Sequence, residues 1–167
     1  RACRYFSHRG LSRFRALQWG PDEWKREIDY LAKIKVNVFM MRMGWTDLFQ
    51  KAFPDICEYP DPAVRLPGTL SGYYNQSLHW SLQYCGLQRK VIQDYGFERG
   101  MMQPEDFGTM THWYTRTPKS FLDAMKPDFL PNAVKWYDDA SALVWDIRDP
   151  KWMDMYWKLT DAAIEHY

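Results

Sequence analysis

Three short stretches carry side chains suited to binding a polyhydroxyl compound. The first supplies Arg42, Trp45 and Asp47; the second, Met101 to Gly108, supplies Gln103, Glu105 and Asp106; the third, Leu143 to Pro150, supplies Trp145, Asp146 and Asp149. Carboxylates and guanidinium groups form charge-assisted hydrogen bonds with hydroxyls. An indole offers a large apolar face for the C–H face of a sugar ring. Each residue also has a plainer reading. Asp149, just before Pro150, suits a helix N-cap. Glu105 and Asp106 suit a solvated loop, and Trp45 and Trp145 suit the closing of a core. Arg42 follows an apolar run, where a buried guanidinium needs an ion-pair partner or a substrate.

Other chemistries lack support in the sequence. His8, His79, His112 and His166 are scattered with no HxH or HxxxH spacing, and no GxSxG occurs, so neither a metal site nor a serine nucleophile is expected. Cys3, Cys57 and Cys85 lie far apart without CxxC spacing, which argues against zinc and against a disulfide framework. No cofactor motif is present, since Gly44 stands in neither GxGxxG nor GxxxxGK[ST]. The 22 Lys and Arg against 21 Asp and Glu leave a net charge of +1, which does not favour a nucleic-acid partner. No apolar run is long enough for a membrane-spanning helix. Aromatics make up 17% of the 167 residues, a surplus that fits either saccharide recognition or a core of large side chains.

The elements that must position these residues follow from periodicity. Pro21, Asp22 and Glu23 open a helix in which Trp24, Ile28, Leu31 and Ala32 share a face, ending near Lys33. Val36 to Met43 reads as a strand buried on both sides, which is typical of parallel sheets. Thr46 caps a short helix to Ala52. Prolines and glycines mark residues 53–76 as a long loop. A second long helix runs from Leu78 to Tyr95, with Leu78, Leu82, Cys85 and Ile92 on one face and Gly96 as its stop. Phe97 to Gln103 is a second strand, Ser120 to Met125 a short helix, and Ser141 to Ile147 a third strand. Asp149 to Tyr167 is a final helix whose Trp152, Tyr156, Leu159, Ala163 and Tyr167 face inward.

Strands that alternate with helices predict a parallel α/β sheet with right-handed crossovers. Without a phosphate-binding glycine turn, a partial (β/α)8 TIM-type barrel is the better match than an open doubly wound sheet. A complete barrel takes about 250 residues, so this chain has room for about three β/α units of a larger catalytic domain. Residues 1–18 then form an extended leading segment, and residues 19–167 the N-terminal portion of the barrel. Strand ends in a barrel converge on one face. Arg42, Trp45, Asp47, Glu105, Asp106, Trp145 and Asp146 would meet there as candidate substrate contacts.

Trp19-Gly20-Pro21-Asp22-Glu23-Trp24-Lys25-Arg26-Glu27-Ile28-Asp29-Tyr30-Leu31-Ala32, followed by Val36-Asn37, resembles the start of the catalytic barrel of family 89 glycoside hydrolases. That family, the α-N-acetylglucosaminidases, has W-x-R-E-I-D-W-M-A here and an I-N pair entering its first strand. The likeness continues at Gly44, at Leu48-Phe49-Gln50, at Pro104 and Gly108, and at Asp149-Pro150-Lys151-Trp152. It runs from about Trp19 to Tyr167 with gaps, and its first block is the most specific.

The resemblance implies a (β/α)8-type barrel with flanking domains. It implies removal of a terminal α-linked N-acetylglucosamine with retention, by two glutamates. Such a pair stands about 5–5.5 Å apart, one attacking and one protonating the leaving oxygen. The family's acid/base glutamate lies in an F-N-E stretch, and no such triplet occurs here. Catalytic residues are therefore expected beyond Tyr167, and the chain is expected to be inactive by itself. A secreted, periplasmic or lysosome-like location is likewise implied, with a carbohydrate substrate and the rest of the parent chain as partners. Two departures fall on the expected binding face. Trp45-Thr46 replaces the family's Gln-Glu, and Glu105-Asp106 replaces an apolar pair. Two other functions fit the same residues: a non-catalytic carbohydrate-binding relative, and an unrelated α/β interaction domain whose tryptophans are all core.

Overall fold

The computed structural model describes residues 2–5, 19–41, 47–59, 81–103, 117–131 and 145–166. Among them the chain is mostly helical. Its helices are α1 (Pro21–Lys33), α2 (Leu48–Ala52), α3 (Leu82–Glu98), α4 (Lys119–Met125) and α5 (Pro150–His166). Its strands are β1 (Ala2–Tyr5) and β2 (Val38–Met41). The chain divides into two compact units. The first holds β1, α1, β2 and all of α3 but Leu82; the second holds α2, α4 and α5.

In the first unit α1 begins as its sequence requires. Pro21 occupies the first turn, and the Glu23 carboxylate accepts the Gly20 N–H at 2.9 Å. That bond satisfies a backbone donor at the helix entrance, and the acidic first turn suits the helix dipole. Trp24, Ile28 and Leu31 are buried, as their spacing predicts. They pack with Val36, Phe39, Ile92 and Met101 into one cluster, with Trp19, Ala32 and Tyr95 at its margin.

Both long helices of this unit end alike. After α1, the Val36 N–H reaches back to the Leu31 carbonyl (2.9 Å) and the Lys35 N–H to Ala32 (3.0 Å), with Lys35 at φ 60°. After α3, the Met101 N–H reaches Gly96 (3.0 Å) and the Gly100 N–H reaches Phe97 (2.8 Å), with Gly100 at φ 70°. Each is a Schellman ending, in which one left-handed residue turns the chain and satisfies the last helical carbonyls. Each also drops the following residue, Val36 or Met101, into the core. The chain then runs into extended backbone. β2 pairs in parallel with β1 in the register Ala2 to Val38 through Tyr5 to Met41. On its other side Val38 forms a parallel bridge to Met102, with Met102 N–H to Asn37 O and Phe39 N–H to Met102 O both at 2.9 Å.

Several sequence expectations change here. The leading segment contains a strand, because Ala2–Tyr5 is the neighbour of β2 and belongs to the first unit. The strand expected at 97–103 contracts to the Met102 bridge, because α3 runs through Gly96 to Glu98. Gly96 is instead a packing position: a Cβ there would meet the Gln103 amide nitrogen at 3.2 Å. The described strands thus form a two-stranded parallel sheet with one further bridge, which is far short of a barrel wall.

The second unit is organised by rings. Phe121 of α4 stacks on Trp145 at 5.1 Å and 10°, and touches Phe49 at 5.2 Å and Phe53 at 4.9 Å. Trp152 of α5 lies 6.3 Å from Trp145. α5 buries Trp152, Tyr156, Leu159 and Ala163, the face its period predicts, and packs against α2. Its start is fixed by Asp149, whose carboxylate accepts the Lys151 N–H at 2.8 Å, so Asp149 is the N-cap. The third strand is not parallel where it is described. Trp145 forms an isolated antiparallel bridge to Phe129, supported by an Asp146 N–H to Asp128 O bond of 2.7 Å.

Candidate functional site

Four of the seven candidate contacts, Arg42, Trp45, Glu105 and Asp106, lie outside the described residues. The other three, Asp47, Trp145 and Asp146, belong to the second unit. Their surroundings differ sharply.

Trp145 is 2% exposed. One face of its indole is stacked on Phe121, and Phe49 meets it edge-on at 6.1 Å. A ring enclosed this way holds the core and has no face left for a sugar, so its expected role as a stacking platform is corrected. Asp146 is committed to Arg148, whose guanidinium donates to both carboxylate oxygens at 2.7 and 2.5 Å and whose backbone N–H adds a third bond at 3.2 Å. The Arg148 side-chain hydrogen bonds hold its carboxyl below the usual carboxylate range. Asp146 therefore stays ionised and is unsuited to protonating a leaving group.

Asp47 is the more informative residue. It stands at the N-cap position of α2 with no side-chain capping bond and is fully buried. Its Oδ2 accepts the Tyr59 phenol at 3.0 Å and pairs with Lys51 at 3.5 Å. Lys51 is four residues on, so it rises over the same face of the helix. The Tyr59 hydroxyl is pushed above its ordinary pKa, first by burial and then by the Asp47 charge and hydrogen bond. Tyr59 thus remains a phenol, donating to a buried carboxylate. Asp47 is already arranged to accept a hydroxyl proton, which is the contact a carbohydrate would make.

Sequence reasoning gave no site role to three polar residues here and in the first unit. Gln50, on α2, is 3% exposed. Among the described residues neither its Nε2 nor its Oε1 meets a hydrogen-bond partner. Arg89, on α3, is 1% exposed. Its signal was available: it falls on the face shared by Leu82, Cys85 and Ile92, where a charge is out of place. Tyr59, twelve residues beyond Asp47, offered no such signal.

Cys57 is buried and its thiol accepts the Ser120 hydroxyl at 3.6 Å; burial pushes its pKa up, so it is a poor nucleophile. Among the described residues no three His, Cys, Asp or Glu side chains gather as a metal site. No described helix is long and apolar enough to cross a membrane. The chain matches no family model, no curated protein and no solved structure.

Proposed function

We propose that the chain forms part of the catalytic domain of a retaining exo-glycoside hydrolase resembling the α-N-acetylglucosaminidases, one that removes a terminal sugar from glycans. The observation that carries this reading is the order of the parallel pairing. β1, β2 and Met102 are neighbours in chain order, and a helix lies between each and the next. Chain-order pairing with helical crossovers is how a (β/α)8 barrel grows. The residues that carry the family resemblance, Trp24, Ile28 and Leu31, also form the packing face of α1 in that unit. Asp47 adds a buried acceptor suited to a hydroxyl. The bond-breaking glutamates are assigned to a polypeptide that carries an F-N-E stretch together with this chain.

The test is hydrolysis of an aryl α-N-acetylglucosaminide by that full-length polypeptide. Release of the aryl alcohol with retained configuration supports the reading. Activity on a different aryl glycoside alone keeps the enzyme class and rejects the sugar. Absence of hydrolysis on every aryl glycoside tried, with the protein folded, rejects the enzyme.

A second reading has one observation in its favour. Trp24, Trp145 and Trp152 are each 2% exposed or less. Three of the nine tryptophans are thus spent on cores, as an α/β interaction domain without a sugar site would require.

A further inference from the structure

Two side-chain amides of the first unit donate to backbone carbonyls. The Gln88 Nε2 donates to the Trp19 carbonyl at 3.3 Å, and the Gln103 amide donates to the Gln93 carbonyl. Gln50 in the second unit contrasts with both, as its donor and its acceptor are both buried without a partner among the described residues. A buried polar group in that condition lowers stability, and its persistence calls for a role outside the core. A leucine or methionine of similar volume would fill the place at no such cost.

The position of Gln50 indicates the role. It follows Asp47 by three residues, so both lie on one face of α2. Asp47 is an acceptor that already takes a phenolic hydroxyl at 3.0 Å. Gln50 offers one acceptor and two donors. A carboxylate beside an amide matches a pair of neighbouring hydroxyls: one donates to the carboxylate, and the other donates and accepts at the amide. Tyr59, the present donor to Asp47, is 39% exposed and so is the outermost member of the group. A sugar hydroxyl would take the place of the Tyr59 phenol on Asp47.

We propose that Gln50, together with Asp47, is a saccharide-binding pair, with the Gln50 amide taking a ring hydroxyl of the sugar. The proposal rests on the glycoside-processing reading above and names its contact residues. It carries a sign that a structural role does not. Gln50→Met should stabilise the unliganded protein while weakening its hold on a sugar, because the amide serves the ligand and burdens the core.

The experiment uses the 15N-labelled 167-residue chain, with Gln50→Met identifying the Gln50 side-chain amide resonances. N-acetylglucosamine and glucose are titrated separately. The expected result has three parts: the Gln50 amide signals shift with one of the sugars, Gln50→Met melts at a higher temperature, and it binds that sugar about tenfold more weakly or worse. If a sugar binds and moves other resonances while leaving Gln50 still, the pair is wrong and the glycoside reading stands. If neither sugar moves any resonance, the proposal fails; hydrolysis by the full-length polypeptide then decides whether the wider reading fails with it. Gln50→Met melting lower, with the wild-type amide unmoved, assigns the residue to the core and overturns the proposal. Should that variant not fold, the wild-type titration alone decides.

Discussion

The two units of this chain are held together by different means. In the first, two helix ends and one acidic side chain are closed by named partners. Two Schellman endings satisfy the last carbonyls of α1 and α3, and Asp29 is held by Tyr95 and Arg99 at 2.9 Å each. In the second, rings dominate, and a buried carboxylate and an unpartnered amide share a short helix. The candidate site lies in the second unit, where Gln50 is, among the described residues, the one side chain with two buried polar atoms left without a hydrogen-bond partner.

The sharpest test of this division is Trp145→Ala. Removing a ring enclosed by Phe49, Phe121 and Trp152 should cost about 3–5 kcal/mol in chemical denaturation, because the cavity cannot refill from neighbouring rings. A stable variant that loses only sugar affinity would restore Trp145 as a binding platform and blur the contrast between the units.

A smaller effect sharpens the comparison within the first unit. The two Schellman endings use different residues at the left-handed position, Gly100 at φ 70° and Lys35 at φ 60°. A side chain there is strained by about 1–2 kcal/mol. Gly100→Ala should therefore destabilise the protein by about that amount, and Lys35→Gly should stabilise it by up to about 1 kcal/mol. Opposite shifts in melting temperature check this. Equal signs would mean that the endings are not equivalent. In the second unit, Asp149→Ala removes the N-cap bond of α5 and should cost about 1 kcal/mol, read from the same melts.

These effects also show what the sequence could disclose. α1 and α5 were legible nearly residue by residue, because the period of Trp24, Ile28 and Leu31, or of Trp152, Tyr156 and Leu159, is set by local geometry and confirmed by burial. The end of α3 lies three residues beyond the expected one. Gly96 and Gly100 both look like stops, and only the backbone separates the one that packs from the one at positive φ. β1 was missed because four residues carry too little pattern, and its pairing with β2 is non-local. The site was the least legible part. Trp145 turned inward because Phe121 and Phe49, distant in sequence, enclose it. Tyr59 reached Asp47 across a turn whose outcome no spacing rule predicts. Asp47 itself was found from its place after the first strand, while Gln50 was noted only as part of an apolar-pair-before-Gln motif.

The smallest expected effect distinguishes long-range from local pairing of the same chemistry. Asp29 and Asp146 both have pKa values lowered mainly by an arginine side-chain hydrogen bond, from Arg99 and Arg148 respectively. Lowered values mean that each contributes stability that is fully present above the ordinary carboxyl value of 3.8 and is lost as pH falls through the depressed value. Arg148 is two residues from Asp146, so that pair forms with little help from the fold and persists in part when the chain opens. Arg99 is seventy residues from Asp29, so that pair exists only when α1 and α3 are packed. Asp29→Asn should therefore lower stability at neutral pH and converge with wild type in acid, while Asp146→Asn should change the pH profile less. Both Asp29 and Arg99 are 42% exposed, so the Asp29 effect should also shrink as salt is raised. Urea titrations of the three proteins between pH 2 and pH 7, at low and high salt, measure the difference. An Asp29→Asn profile at least as steep as that of Asp146→Asn would show that the α1–α3 clamp contributes nothing beyond a surface ion pair.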